Sequence, residues 1–248
     1  MISTRFCALG LMAKAPLAGE VKTRLVPPLT APEAAALNVC FLRDMAENIE
    51  RVSEEGFVVY TPAGSESAFA GVLPERFKLL AQRGAHLGER LCNATEDLLQ
   101  QGYGAVCLIN SDSPTLPGAI LIRAVESLAR GGDRVVLGAA EDGGYYLIGL
   151  KHAHRNLFNE IAWSTSDVLA RTTQRAAEID LPVELLPHWY DVDDAKTLDR
   201  LCEELFSGSG LNEAYPAPHT RAFLEAIIES EGPERIFPRT NTDEHGQK

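Results

Sequence analysis

The sequence predicts an α/β fold, with a mostly parallel central sheet flanked by helices in a Rossmann-like arrangement. Apolar runs of strand length alternate with segments of helical periodicity over most of the chain, and this order is typical of parallel strands joined by crossover helices. Residues 105–109 are apolar throughout, as expected for a central strand that is buried on both faces.

The first helix has a clear start signal. Thr30 and Glu33 form a capping box, in which each side chain accepts the backbone N–H of the other residue. Leu37, Phe41 and Met45 then recur at helical spacing, which predicts a face that packs in the core.

The remaining elements follow from periodicity and from the turn residues between apolar runs. Strands are predicted at residues 6–12, 57–60, 77–81, 105–109, 134–138, 145–150 and 182–187. Helical periodicity covers residues 37–52, 91–99, 120–128, 168–179, 198–205 and 220–230. We assign residues 1–206 to one domain and residues 207–248 to a linker, a short helix and a flexible C-terminal tail.

The composition is that of an ordinary globular protein, and the charge limits its partners. The chain has 248 residues, 45% of them hydrophobic, and a formal net charge of −12. We expect neither nucleic acid nor membrane as a partner, because an acidic chain has no long-range attraction for either. Five cysteines without a Cys-x-x-Cys pair indicate free thiols in a reducing cytoplasm. The oligomeric state stays open.

A basic loop follows the first strand. It holds Lys14, Lys22 and Arg24 around Gly19. Glycine lets the backbone approach a ligand closely, and the cations can neutralise phosphate oxygens. Since Lys22 and Arg24 are two residues apart, an extended backbone would point both to the same side. The alternative is a solvated surface loop. The segment is not a P-loop, because no glycine precedes Lys22.

The central strand ends in polar residues. Asn110, Ser111, Asp112 and Ser113 follow it directly. Pro114 comes next, and it cannot donate a hydrogen bond to continue the strand. Asp112 is therefore expected at the carboxyl end of a central strand, where open α/β sheets bind ligands. The alternative is that Asp112 only shapes a turn.

Two glycine-containing segments also lie near predicted strand ends. Gly88 and Arg90 stand where a helix begins, a place suited to ligand contacts through backbone N–H groups. Asp142, Gly143 and Gly144 separate two strands. The glycines could expose backbone to a ligand while Asp142 binds hydroxyl groups. A connecting loop and a plain hairpin turn are the respective alternatives.

Three acids precede the helix at residues 198–205. Asp193 or Asp194 must cap that helix, which leaves Asp191 and one further carboxylate without a structural explanation.

Six motifs together resemble one family. They are Ala13-Lys-Ala-Pro with Gly19-x-Val-Lys-Thr-Arg-Leu25, Leu87-Gly-Glu-Arg90, Ser111-Asp-Ser-Pro114, Asp142-Gly-Gly-Tyr-Tyr-Leu147, Trp163-Ser-Thr-Ser166 and Asp191-Val-Asp193. In this order they resemble the DUF2064 family of glycosyltransferase-A-like proteins, which is related to molybdenum cofactor and phospholactate guanylyltransferases. The resemblance implies the nucleotide-diphospho-sugar transferase (GT-A) fold.

The resemblance also implies roles for residues. It makes Asp112 a metal ligand, with Asp193 (or Asp191) as the second, and the oxygen ligands suit Mg²⁺ or Mn²⁺. The implied catalytic residues are Lys22, Arg24, Asp112 and Asp142. The implied nucleotide and phosphate contacts are Lys14, Ala15, Pro16, Gly19, Lys22, Arg24, Gly88 and Arg90. The implied donor or acceptor contacts are Asp142, Gly143, Gly144 and Tyr145.

The expected function is metal-dependent transfer from a nucleotide-activated donor, with glycosyl transfer from a nucleotide sugar to a small acceptor as the first hypothesis. One departure matters, because glycosyltransferases of this fold usually carry Asp-x-Asp and this chain has only Asp112 between two serines. Nucleotidyl transfer, from an NTP to a phosphorylated small molecule with release of pyrophosphate, therefore remains open. So does a nucleotide-binding regulator without turnover.

Overall fold

The structure is a computed structural model that describes residues 6–53, 55–207 and 213–236. The described residues form seven strands: β1 (Cys7–Lys14), β2 (Gly56–Thr61), β3 (Phe77–Ala81), β4 (Ala105–Asn110), β5 (Val135–Ala140), β6 (Tyr145–Leu150) and β7 (Val183–Trp189). They also form six α-helices: α1 (Ala31–Glu50), α2 (Leu87–Gln100), α3 (Gly118–Ala129), α4 (Val168–Glu178), α5 (Ala195–Phe206) and α6 (Pro218–Glu231).

All seven strands form one sheet in the order β3-β2-β1-β4-β6-β5-β7. β6 is antiparallel to its neighbours β4 and β5, and every other pair is parallel. The predicted mostly parallel sheet is therefore confirmed. Because six strands run the same way, their carboxyl ends lie along one edge of the sheet.

β4 occupies the centre of this sheet, between β1 and β6. The side chains of residues 105–109 are all buried, as their apolar character predicts. The carboxyl ends of β1 and β4 meet, with Met12 beside Asn110. Asp112 therefore lies two residues beyond the central strand, at the edge where ligands of open α/β sheets bind.

Helices cover both faces of the sheet. Buried side chains of α1, α3, α5 and α6 form one core layer, and those of α2 and α4 form the other. The capping box that opens α1 is present, with the Glu33 N–H donating to Thr30 Oγ1 at 3.4 Å and the Thr30 N–H donating to Glu33 Oε2 at 2.6 Å.

The C-terminal helix α6 shares the core of the preceding domain. Leu224 and Ile227 are buried in the same layer as α1. The buried carboxylate of Asp44 accepts the backbone N–H groups of His219 at 3.0 Å and Thr220 at 2.8 Å, so it satisfies donors that the first turn of α6 would otherwise leave unpaired. The domain boundary at residue 206 stays a prediction. Truncation after Phe206 would test it, because the truncated chain would lose the packing of α6.

The described residues end with a 3₁₀ turn at Pro233–Arg235, where Arg235 pairs with Glu33 at 2.8 Å. Most of the linker predicted after residue 206 and most of the predicted tail, residues 208–212 and 237–248, lie outside the described residues. No helix in the described part of the chain is both long enough and apolar enough to cross a membrane.

Candidate functional site

A cavity of about 320 Å³ opens at the carboxyl end of β1. One side is formed by the basic loop and the other by the polar residues that follow β4 and β7. Its lining residues are Met12, Lys14, Glu20, Val21, Lys22, Thr23, Arg24, Asn38, Ser111, Asp112 and Asp193. The structure thus brings the three predicted cations of the first loop together with two of the predicted carboxylates.

The basic loop does not have the extended backbone that the spacing of its cations predicted. Lys22 adopts left-handed angles, with φ 49° and ψ 35°, and Thr23–Leu25 form a 3₁₀ turn that the Leu25 N–H closes by donating to the Lys22 carbonyl at 2.9 Å. Residues three apart lie on the same side of such a turn. Lys22 and the fully buried Leu25 therefore both face inward, whereas Arg24 is exposed.

The ammonium of Lys22 contacts three oxygens at the edge of the cavity. Its Nζ lies 2.7 Å from Asp112 Oδ1 and 3.0 Å from Asp193 Oδ1, and it donates to the Val192 carbonyl at 2.7 Å. The Lys22 side chain is only 5% exposed. Burial acts to lower the pKa of Lys22, but the charges and hydrogen bonds of the two carboxylates outweigh it and raise that pKa, so the ammonium stays charged.

The two carboxylates remain open to the cavity on their other side. The side chain of Asp112 is 33% exposed and that of Asp193 is 47% exposed. The Val192 N–H donates to the Asp112 carbonyl at 2.8 Å, so backbone pairing fixes the segment after β7 against the segment after β4. Both carboxylates can therefore contact a ligand without any change in their backbone.

Asp191 has a different environment from Asp193. Its carboxylate accepts hydrogen bonds from Asn110 Nδ2 at 2.8 Å and Ser113 Oγ at 2.6 Å. Burial raises the pKa of Asp191 to about 6, the negative charges of Asp112 and Asp193 add to this, and the two hydrogen bonds oppose it. Of the two alternatives for a second metal ligand, Asp193 is the one that lines the cavity with Asp112.

The third acid of this segment has a structural role. The Asp194 carboxylate accepts the Thr197 N–H at 2.9 Å and completes a capping box at the start of α5. Asp194 is thus the helix cap that the sequence required, and Asp193 is free for the cavity.

The other two cations of the loop are exposed. Lys14 Nζ donates to the Glu20 carbonyl at 2.9 Å and lies 3.8 Å from its carboxylate, so Glu20 partly neutralises it. Arg24 has no ion pair with any residue in the described ranges. Arg24 is therefore available to an anion in the cavity.

Three uncharged residues that were predicted to contact phosphate, Ala15, Pro16 and Gly19, do not line the cavity. Ala15 is buried, and its N–H donates to the Thr61 carbonyl at 2.8 Å, which extends the pairing of β1 with β2. Pro16 is half-buried and Gly19 is exposed with open space around it. Neither is among the residues that line the cavity.

Gly88 and Arg90 lie at the start of α2, outside the cavity lining. A Cβ atom added at Gly88 would lie 2.6 Å from the Trp163 ring, so close packing explains this glycine. Arg90 Nε donates to the Gly84 carbonyl at 3.1 Å. A role for either residue in binding nucleotide stays a prediction.

The segment Asp142 to Tyr145 joins β5 to β6 at the same sheet edge. Asp142 is exposed and its carboxylate accepts the Gly144 N–H at 2.8 Å, as in a hairpin turn. A Cβ atom at Gly143 would lie 2.1 Å from the Ser166 carbonyl oxygen. The Tyr145 ring packs against the core layer of α2 and α4, where burial raises the pKa of its hydroxyl. None of these residues lines the cavity.

Three polar residues around the site had no predicted role. Asn110 and Ser113 hold Asp191 in place, and Asn38 of α1 lines the cavity while being 4% exposed. Asn38 Oδ1 is buried without a donor among the described residues. The sequence did offer one sign of Asn38, because its amide stands next to Leu37 on a helix whose face is otherwise apolar.

A second group of metal-binding residue types lies away from the cavity. Ligand atoms of Asp44, Glu47 and His219 lie within 4.8 Å of one another, with His219 Nε2 at 2.6 Å from Glu47 Oε1. These residues join α1 to the start of α6, and helix capping already accounts for Asp44.

Comparison with known proteins confirms the predicted family resemblance. Residues 45–165 match the model of DUF2064, described as an uncharacterized protein conserved in bacteria. No curated protein matches the chain.

Solved structures share the fold over most of the chain. A candidate nucleotide-diphospho-sugar transferase from Desulfovibrio desulfuricans G20 is 29% identical, with 94% of this chain and 97% of that chain covered and a TM-score of 0.80. A cytidylyltransferase from Leptospira borgpetersenii serovar Hardjo-bovis is 11% identical, with 95% and 98% covered and a TM-score of 0.53. CMP:2-keto-3-deoxy-manno-octonic acid synthetase complexed with CTP is 10% identical, with 79% and 96% covered and a TM-score of 0.52. The predicted nucleotide-diphospho-sugar transferase fold is confirmed.

Proposed function

We propose that this protein is a divalent-metal-dependent transferase that uses a nucleotide-activated donor, and that it transfers a glycosyl group from a nucleotide sugar to a small acceptor. The observation that carries the proposal is the cavity at the carboxyl end of β1. There Asp112 and Asp193 face a loop that carries Lys14, Lys22 and Arg24. Carboxylates for a metal and cations for phosphates are the two groups that such a donor needs.

The residues fit a divalent cation of the Mg²⁺ or Mn²⁺ class. The oxygens of Asp112, Asp193 and Val192 already surround one cation, the Lys22 ammonium, at 2.7–3.0 Å. Such hard oxygen donors are the ligands these metals prefer. Asp112 and Asp193 would hold the ion. When bound, it would neutralise diphosphate oxygens and the negative charge on the departing nucleotide.

The residues of the chain have separable roles in this proposal. Lys14 binds the diphosphate from the solvent side of the cavity, and Lys22 and Arg24 stabilise charge that develops on the leaving phosphate. Asp142 orients a hydroxyl group of the donor or acceptor. Cations must act locally in this protein, because its net charge of −12 repels an anionic donor at long range.

The comparisons support this class of reaction. The Desulfovibrio desulfuricans protein, at 29% identity, is described as a candidate nucleotide-diphospho-sugar transferase. The two cytidylyltransferase-type structures are too distant to support more than the fold.

Nucleotidyl transfer is the second candidate, and the composition of the site favours it at two points. Asp112 stands alone between two serines, where glycosyltransferases of this fold usually have two acids. Three cations are also a generous complement for a diphosphate, and they suit a triphosphate at least as well. In this reaction an NTP and a phosphorylated small molecule would give pyrophosphate.

A ligand screen followed by product analysis tests the proposal. Nucleotides and nucleotide sugars are screened by thermal shift with and without Mn²⁺, since a ligand at about 100 times its Kd adds roughly 2.7 kcal/mol to the free energy of unfolding. The best ligands are then incubated with Mn²⁺ and candidate acceptors. Release of a nucleoside diphosphate from a nucleotide sugar supports glycosyl transfer, and pyrophosphate from an NTP supports nucleotidyl transfer.

Two results would contradict the proposal. Stabilisation by nucleotides that does not depend on Mn²⁺ would show that nucleotide binding does not require the metal. Metal-dependent binding without release of either product, across the acceptor panel, would favour a nucleotide-binding regulator instead.

A further inference from the structure

We propose that Lys22 and a divalent metal compete for Asp112 and Asp193, so that a metal enters this site only by displacing the Lys22 ammonium. This inference rests on the proposed function, in that it takes these two carboxylates as the metal ligands. It adds a coupling between metal binding and the position of a cation in the phosphate-binding loop.

The first step in the argument is the geometry of the ammonium. Three oxygens from three residues converge on Lys22 Nζ, at 2.7 Å, 2.7 Å and 3.0 Å. The ring of Phe41 lies on another side, 5.4 Å from Nζ to its centroid. Lys22 Nζ therefore occupies the position that a metal bridging Asp112 Oδ1 and Asp193 Oδ1 would take.

The second step is that two cations cannot share this position. Like charges a few ångströms apart repel strongly where solvent screening is weak, and the Lys22 side chain is 5% exposed. A metal would also need its oxygen ligands at about 2.0–2.6 Å, closer than the ammonium allows. Either Lys22 moves or the metal binds weakly.

The third step concerns where Lys22 can go. Lys22 and Arg24 lie on the same loop, Lys14 ends β1 just before that loop, and all three residues line the cavity. A Lys22 side chain that leaves the carboxylates would therefore turn toward the phosphates of a bound donor. Metal entry and the arrival of a third cation at the phosphates are then one event, so donor and metal should each strengthen the binding of the other.

Binding of Mn²⁺ in the absence of nucleotide provides the test, with free Mn²⁺ measured by electron paramagnetic resonance on the full chain. Lys22→Met removes the competing charge, and Arg24→Met is the matched control, because it removes the same charge from the same loop without touching either carboxylate. We expect Lys22→Met to bind Mn²⁺ about tenfold more tightly than the wild type or better, and Arg24→Met to stay within about threefold.

Further variants separate failure of this inference from failure of the proposed function. Asp112→Asn should lose the Mn²⁺ site in both the wild-type and the Lys22→Met background. If Asp112→Asn abolishes binding but Lys22→Met binds no more tightly than the wild type, competition is overturned and the metal site stands. If Mn²⁺ binding persists in Asp112→Asn, the metal site of the proposed function is itself wrong.

Lys22→Gln guards against a folding defect in the methionine variant. Glutamine is neutral and keeps a side-chain donor for Val192 or Asp193, and thermal unfolding confirms that each variant is folded. Tighter Mn²⁺ binding in Lys22→Gln supports the competition, and unchanged or weaker binding in a folded Lys22→Gln contradicts it.

Discussion

Two polar segments lie at the carboxyl edge of the same sheet, and the predicted site carboxylates in them find partners in opposite ways. In the cavity, Lys22 contacts Val192 and Asp193, which are 170 and 171 residues away. Asp191 takes a hydrogen bond from Asn110, 81 residues away. Tertiary structure alone brings these groups together.

In the hairpin between β5 and β6, the Asp142 carboxylate has its partner close by in the sequence. The Asp142 carboxylate accepts an N–H group two residues further along the chain, from Gly144. Gly143 is required where its backbone meets the Ser166 carbonyl. Turn geometry thus explains Asp142, and close packing against Ser166 explains Gly143.

This difference separates residues that are candidates for ligand binding or catalysis from residues that only form a turn. Burying a lysine ammonium against two carboxylates is a weak way to stabilise a fold, because desolvation offsets most of the attraction. Such an arrangement at a ligand-binding edge therefore indicates binding more strongly than an acid with a partner in its own turn. The following variants test that distinction, from the largest expected effect to the smallest.

The largest effect is expected on turnover in the cavity. Once an active donor is known, Lys22→Ala and Arg24→Ala should each lower kcat by about 10²–10³, or roughly 2.7–4 kcal/mol, because each removes a donor aimed at developing charge. Lys14→Ala should act mainly on KM. The matched control is Arg171→Ala, an exposed cation of α4. Rates within a few-fold of wild type for both Lys22→Ala and Arg24→Ala would show that the loop is a solvated surface segment without a role in catalysis.

In the hairpin, the large effect should be on stability. Gly143→Ala places a Cβ atom 2.1 Å from a backbone oxygen at a φ of +91°, and should lower the free energy of unfolding by about 2–3 kcal/mol. Gly64→Ala is the control, because Gly64 has φ +88° and open space around it. This variant should lose only the cost of a left-handed backbone at a non-glycine residue, about 1 kcal/mol. Equal losses in chemical denaturation would show that the contact with Ser166 costs nothing.

Asp191→Asn should stabilise the protein in a pH-dependent way. Burial raises the pKa of Asp191 to about 6, above its ordinary value, so the native state penalises the carboxylate and loses stability as pH rises through 6. Asparagine keeps an oxygen for Asn110 and Ser113 and has no charge. We expect a gain of about 1–3 kcal/mol at pH 8 that disappears by pH 4, measured by denaturation at each pH. A gain that does not depend on pH would contradict this cause.

Asp142→Asn sharpens the comparison between the two segments. Asparagine can still accept the Gly144 N–H, so the melting temperature should not change. If Asp142 orients a hydroxyl group of donor or acceptor, kcat/KM should fall about tenfold, equivalent to ~1.4 kcal/mol. Unchanged kinetics would leave Asp142 with its role in the turn alone.

Local signals made much of the fold predictable from the sequence. The capping box of Thr30 and Glu33 lies within four residues, and the apolar run of β4 is continuous. The carboxyl-end position of Asp112 follows from that strand. These features need no knowledge of distant contacts, and the structure has each of them.

What the sequence did not predict depends on contacts between distant segments. The left-handed backbone of Lys22 is set by burial of Leu25 and by oxygens supplied after β7, so the extended backbone inferred from residue alternation was wrong. The close approach of Trp163 explains why residue 88 is a glycine, and its contact with nucleotide stays a prediction. The packing of α6 rests on Asp44, an acidic residue that helical periodicity does not identify as buried.

The central claim is that Asp112 holds a divalent cation beside a nucleotide-binding loop. The direct measurement is the Mn²⁺-dependent part of the thermal stabilisation given by the best nucleotide ligand, compared between wild type, Asp112→Asn and Asp142→Asn as the matched control. We predict that Asp112→Asn folds and loses this Mn²⁺-dependent increment, because a neutral amide is a much weaker ligand for a hard cation than a carboxylate. Asp142→Asn should keep the increment. An undiminished Mn²⁺-dependent increment in Asp112→Asn would contradict the account.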